Sequence, residues 1–189
     1  MLIRILAFLL ETLFFVLIGA ALLRAWMNYL RINMRAQPGT FVMAVSDWLV
    51  KPLRRVLPKA VAQSRVDWAS LLAAFVLALL FALLGALLTG ALSGGLQGLA
   101  DLNVMLLPAL LLAALKMLLR VALQVAFVAV LAFAIISWVQ PGSAMYVLLG
   151  RLTEPLLAPL RRVIPQIGGV DLSALVLLLL LQIGLMVLG

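Results

Sequence analysis

The chain has no cysteine and no histidine, which removes disulfides, thiolate chemistry and the commonest metal ligands together. No structural zinc, covalently held haem or other cofactor is expected from such an inventory. Charge is also scarce, at 11% of 189 residues against roughly a quarter in a soluble domain. With six acids, each readable as a helix cap, an ion-pair partner or a loop residue, the sequence offers no catalytic constellation. An enzyme is not expected, and no catalytic residue is nominated.

What fills the chain instead is apolar: 67% of residues are hydrophobic. Uncharged stretches such as Leu71 to Leu92 and Val121 to Val139 are long enough to cross about 30 Å of hydrocarbon as helices. The runs lack the period-2 alternation of a barrel strand, so an all-α membrane protein is expected. The net charge of +8 fits juxtamembrane Lys and Arg meeting anionic lipid better than nucleic acid. Residues 1 to 26 have some features of a signal peptide, but Glu11 interrupts the apolar run, and cleavage would delete the first element of an internal repeat.

That repeat is the main signal of organisation. "PLRRVLP" at 52 to 58 returns as "PLRRVIP" at 159 to 165, and the same offset pairs Ser46-Asp47 with Thr153-Glu154 and Lys51 with Ala158. With small gaps, Trp26 matches Trp138, Pro38-Gly39-Thr40 matches Pro141-Gly142-Ser143, and Val66-Asp67 matches Val170-Asp171. The first copy, 1 to 92, is expected to hold spans at about 3–23 and 68–92 with an amphipathic interfacial helix at about 41–57. A connection at 93–108 leads to the second copy, 109 to 189, with spans at about 109–139 and 172–188 and an interfacial segment at about 143–164. Four spans result.

No glycine or proline lies between Pro108 and Pro141, so this stretch reads as one continuous helix. A five-span alternative, in which 104 to 118 crosses separately and the copies are inverted, lacks a breaker for its extra reversal. The loop from Arg24 to Arg65 holds eight basic residues, that from Gln140 to Val170 three, and the connection from Ser93 to Asn103 none. Both arginine motifs are therefore expected in the cytoplasm and both termini outside, with the copies parallel.

Phe41, Val45, Trp48, Pro52 and Val56 form one apolar side of the first motif segment, opposite Asp47, Lys51 and Arg54/Arg55. Pro52 is expected to interrupt or restart this helix, and Pro155 and Pro159 to permit only short turns in the second copy. Pro58 and Pro165 end the motifs and redirect the chain toward Asp67 and Asp171, strong N-caps for the spans that follow. Lys51, Arg54, Arg55, Arg161 and Arg162 are candidates to bind anionic lipid headgroups or a partner protein, the arginines alternatively pairing with the aspartates. Plain membrane anchoring is the simpler reading. Ser70, Ala74, Ala78, Ala82, Ala86 and Gly90 recur every fourth residue, a ridge suited to close helix packing within the chain or in a homo-oligomer. Glu11, Lys116, Arg120 and Gln124 are polar groups inside spans, and Glu11 can reach Lys116 or Arg120 if the first and third spans pack with their outer ends together.

Written out as "EPLLAPLRRVIPQIGGVDLSALVLLLLLQ" (154 to 182), the second copy resembles the YggT family, as does "LLRAWMNYLRINMRAQPGTFVMAVSDWLVKPLRRVLPKAVAQSRVDWASLLAAFVLALL" (22 to 80). The resemblance covers nearly the whole chain. It implies a multi-pass protein of the bacterial cytoplasmic membrane, with relatives in plastids and no established enzymatic activity. Family associations are with osmotic stress and potassium limitation, the cell-division neighbourhood, cytochrome assembly and nucleoid distribution. The motif positions carried over are Pro52, Arg54, Arg55, Pro58 and Asp67, and Pro159, Arg161, Arg162, Pro165, Gly168, Gly169 and Asp171. The chain departs from the pattern at Ser173-Ala174, where Ser-Pro is usual, and at Ala62-Gln63-Ser64, where the first copy lacks the double glycine. The expected function is a membrane scaffold or assembly factor; the alternative is a component of a potassium or proton channel or transporter.

Overall fold

The computed structural model describes residues 2–34, 38–57, 66–93, 106–162 and 171–188. Six helices account for most of them: α1 (Leu2–Tyr29), α2 (Gly39–Val56), α3 (Trp68–Ser93), α4 (Leu106–Val139), α5 (Ala144–Arg161) and α6 (Leu172–Leu188). Among the described residues there is no strand. By length and composition Arg4–Tyr29, Trp68–Leu88 and Leu107–Val139 can each cross a membrane, and Leu172–Leu188 is a shorter apolar helix. The expected breakerless helix is present as α4, whose 34 residues extend about 50 Å. Pro108 sits in its first turn, where a missing N–H costs no hydrogen bond.

Within each half, the two long helices pack on one another and the amphipathic helix packs on both: α1 with α3 and α2, then α4 with α6 and α5. α4 also packs on α1 and α3, which joins the halves. Directions follow from side chains that meet. Phe14 touches Phe81 and Asn28 reaches Asp67, so α1 and α3 are antiparallel. Glu11 lies near Arg120, and Gly19 lies against Val121 and Val125, so α1 and α4 run the same way. The small-residue ridge of α3 is buried at Ser70, Ala74 and Ala78 and half-buried at Ala82 and Ala86; Gly90 continues the helix.

Two expectations about proline are corrected. α2 runs unbroken through Pro52, and α5 is one 18-residue helix through Pro155 and Pro159. A helical proline frees the carbonyl four residues earlier. The residues so affected are Trp48, Arg151 and Pro155, and they, like the prolines themselves, are exposed. The freed carbonyls belong to exposed residues, where water can satisfy them, so the helices need not break. Pro58, Pro165, Gly168 and Gly169 lie outside the described residues.

The two Pro-Gly dipeptides perform different work. Gly142 has φ +92°, a left-handed turn that leads into Ser143, whose hydroxyl caps α5 by accepting from the Tyr146 N–H at 3.1 Å. Gly39 instead lies where an added Cβ would come within 2.6 Å of the Met34 backbone. At the end of α1, Arg31 occupies φ +55° while the Ile32 N–H closes back on the Met27 carbonyl at 2.9 Å, a turn usually given to glycine. Two substitutions should therefore move stability in opposite directions. Arg31→Gly is expected to raise it by up to about 1 kcal/mol, and Gly39→Ala to lower it by about 1–3 kcal/mol, as read by thermal scans of the full chain in micelles.

Candidate functional site

Each copy places an aspartate immediately before its second long helix, where it caps the exposed N–H groups and favours the positive helix end. Asp67 accepts from the Ser70 N–H at 3.2 Å and the Ser70 hydroxyl at 2.9 Å. Asp171 likewise accepts from the Ser173 N–H at 3.1 Å and from its hydroxyl. The first arginine of each motif then closes on the cap. Arg54 Nη2 lies 2.9 Å from Asp67 Oδ2, and Arg161 meets Asp171 Oδ2 through Nε at 2.9 Å and Nη2 at 2.7 Å. Each clamp ties the end of an amphipathic helix to the start of the next long helix.

Further groups make the clamps unequal. Asn28 Nδ2, on α1, donates to Asp67 Oδ2 at 2.5 Å, so the first clamp joins three helices. In the second, Arg161 Nη1 also bonds Glu154 Oε2 at 2.7 Å, two turns back along α5, and its guanidinium lies 5.8 Å from the centre of the Phe133 ring. Phe133 in turn stacks on Tyr146 at 5.4 Å. Asp47, which aligns with Glu154, is held instead by Lys51 at 2.8 Å and by Arg24 at 2.8 Å. Arg24 is buried within α1, with 6% of its surface exposed, and also donates to Ser46 at 2.9 Å. It had been counted among the loop cations from sequence. Its Nε has no partner among the described residues, a deficit that the Asp47 and Ser46 bonds offset.

The motif arginines thus divide into two kinds. Arg54, about half exposed, and Arg161, more covered, are both paired with a cap aspartate. Arg55 and Arg162 are exposed and form no ion pair among the described residues. Lys51 is exposed but engaged by Asp47. α2 carries three faces: Val42, Ser46 and Val50 are buried; Phe41, Trp48, Pro52 and Val56 are exposed apolar residues; the charges occupy the third. Sequence reasoning named the last two and missed the packing face, along with Arg24, Asn28 and Trp26. The Trp26 indole N–H donates to the Leu152 carbonyl at 3.0 Å, linking α1 to α5. A basic or amide residue spaced four apart in the last turns of an apolar span, as at Arg24 and Asn28, is the signal that could have found the first two.

Both clamps sit at one end of the fold. Leu30 at the end of α1 lines an open cleft of about 720 Å³ together with Phe133, Tyr146, Glu154 and Arg161. An apolar crevice of about 460 Å³ beneath it runs between the halves, lined by Leu22, Trp26, Leu71, Ala126, Leu156 and Leu181. Five of the chain's six Trp and Tyr residues belong to this end, Trp26, Tyr29, Trp68, Trp138 and Tyr146, while Trp48 of α2 shares a small recess with Leu17, Ala73 and Leu77 further along α1 and α3. At the far side of α1 and α4, Glu11 and Arg120 approach to 3.9 Å, both about half exposed, with Gln124 beside them and Lys116 exposed one turn away.

The carboxylates of the clamps are held below the ordinary aspartate range. Burial by itself would raise Asp67 and Asp171, but hydrogen bonds from Ser70 or Ser173 and the charge of Arg54 or Arg161 outweigh it. For Asp47 the Lys51 hydrogen bond is the largest influence and lowers it.

A family model described as CCB3/YggT matches residues 3–88 and again 98–189. A protein of Escherichia coli K12 named "Uncharacterized protein YggT" is 34% identical over 94% of this chain and 86% of its own length. A Vibrio alginolyticus protein named "Uncharacterized protein in proC 3'region" is 34% identical over 97% of the chain and 92% of its own. An uncharacterized Pseudomonas aeruginosa protein is 32% identical over 93% and 84% respectively. No solved structure matches the chain significantly.

Removing the first cap should hurt more than removing the second. Asp67→Ala strands Arg54, Asn28 and Ser70 and is expected to cost roughly 2–4 kcal/mol. Asp171→Ala leaves Arg161 with Glu154 and should cost about half as much. Because the folded-state values are depressed, the clamps' stabilisation is complete above the ordinary aspartate range and is lost as pH falls through the lowered values. Thermal midpoints in micelles across an acid series should show that decline for the parent chain and a shallower one for Asp67→Asn.

Proposed function

The chain belongs to the CCB3/YggT family, and from that premise we propose that it is a four-span scaffold of the bacterial cytoplasmic membrane that grips anionic phosphate headgroups with Arg55 and Arg162. The observation that carries this reading is the division within each arginine pair. One guanidinium is consumed by a cap that fixes the helix end, and its neighbour is left exposed on the same rigid support. A planar, always charged guanidinium is suited to bidentate phosphate contact. Held next to a clamped residue, it loses less freedom on binding than one on a loose loop.

The aromatic residues support the placement. Trp and Tyr concentrate at membrane–water boundaries, and here five of the six share the clamp end. The exposed Phe41, Trp48 and Val56 of α2 would then enter the acyl boundary while its cationic face meets phosphates. The basic excess of the motif loops supports a cytoplasmic position for that end, and the apolar composition of α6 supports its being the fourth span. Two grips on one rigid body can order lipid, or an acidic segment of a membrane partner, across the width of the fold. Such a device would serve membrane organisation under osmotic stress or at division. The channel reading draws less support, since Glu11 and Arg120, both about half exposed, line an open cleft of about 240 Å³ between α1 and α4 and not an enclosed passage.

Charge reversal of the exposed pair, Arg55→Glu with Arg162→Glu, is expected to weaken co-sedimentation with vesicles containing anionic lipid about tenfold or more while thermal stability stays within about 0.5 kcal/mol. Arg54→Met with Arg161→Met should show the converse, lowered stability with smaller loss of binding. Unchanged sedimentation of the first variant, or saturable potassium or proton flux through proteoliposomes, would overturn the reading.

A further inference from the structure

The Glu11–Arg120 neighbourhood is not used by the clamps, and its acid has no counterpart in the second copy, where Leu123 stands at the aligned position of α4. Glu11 stands about 25 Å along α1 from Asn28 at the clamp end, and Arg120 about 20 Å along α4 from Phe133, at ~1.5 Å per residue. Both lie short of the far boundary of a hydrocarbon layer about 30 Å thick. Their approach of 3.9 Å is loose, and their side chains are 53% and 45% exposed. Around them the exposed surface is apolar, with Phe8 one turn from Glu11 on α1 and Leu112 and Leu119 one turn from Lys116 on α4. Lys116 and Gln124 extend the polar groups one turn to either side. A half-exposed ion pair at this depth is costly against acyl chains, and such groups face protein or water wherever they persist.

We propose that a second copy of this chain covers the α1–α4 face, in a two-fold dimer whose axis runs along the membrane normal and which joins Glu11 of each protomer to Arg120 and Lys116 of the other. The choice of occupant rests on charge and depth. The patch holds one acid and two bases within about two turns of each other. A half-turn about the normal returns every residue to its own depth, so each cation meets the opposite acid without a change of level. A lipid offers no carboxylate or phosphate at that depth. The loose intrachain pair becomes part of a four- to six-member network, with Gln124 able to donate and accept across the seam.

The test uses the full chain in vesicles, labelled for energy transfer and diluted with lipid. Glu11→Lys leaves the patch wholly cationic; Lys116→Glu with Arg120→Glu leaves it wholly anionic. Each variant alone should self-associate about three- to thirtyfold more weakly than the parent, the range that polar contacts between helices in lipid provide. Mixed together, the two should associate at least as well as the parent, which an intrachain effect on folding could not produce. Because the chain lacks cysteine, Phe8→Cys and Leu119→Cys can also be oxidised in the membrane, with Leu179→Cys on α6 as the control face. Covalent dimers at the first two and not the third are expected. Association no better in the mixture than in either variant alone, or equal crosslinking at Leu179, overturns the proposal.

Discussion

The structure depends on one ion pair used twice: an aspartate that caps a long apolar helix and is clasped by an arginine from the amphipathic helix before it. An apolar helix in lipid has no inherent depth or register, since leucine is equally at ease against any acyl chain. A charged cap supplies both. It satisfies the first N–H groups, places a negative charge at the positive helix end and, through Arg54 or Arg161, fixes how far the amphipathic helix stands from the start of the span. The apolar contacts of Ala74, Ala78 and Leu77 in one half, or Ala174 and Leu177 in the other, then follow from a start point that does not slide.

The two copies reach the same clamp by different secondary contacts, and the differences compensate. Where copy one has Lys51 to hold Asp47, copy two has Ala158, and Arg161 extends to Glu154 instead. Where copy one sends Arg24 and Asn28 in from α1, the aligned positions on α4's side are Ile136 and Gln140, and Phe133 receives the guanidinium of Arg161 on its face. The capping serine moves from the third position after the aspartate to the second, yet its hydroxyl still bonds the carboxylate. What is kept is the aspartate, its arginine and the exposed arginine that follows.

Much of this was legible in the residues. The offset between the arginine motifs gave the duplication, which the doubled family match shows, and the stretch without breakers gave α4 as one helix. The pairing of motif arginines with the aspartates was one of three options, because sequence spacing brings Arg54 and Asp67 close only once the intervening turn is known. Arg24 was misplaced for a physical reason: a basic residue near the end of an apolar run usually snorkels, and only the arrival of Ser46 and Asp47 from α2 makes its burial affordable. The prolines misled because their penalty is set by where the orphaned carbonyl points, which periodicity alone does not reveal.

That same geometry explains why prolines belong in these helices. A helix that packs on protein along one side and is exposed along another tolerates carbonyls left free on the outer side, since water can satisfy them where a buried face could not. Pro52 and Pro159 sit two residues before Arg54 and Arg161, so the chain is stiffened immediately before the clamp. The stiffening reduces the conformations open to the arginine pair before folding, and the clamp then fixes the first member. The second, Arg55 or Arg162, is thereby presented outward by a backbone with little freedom to collapse onto the protein's own acids.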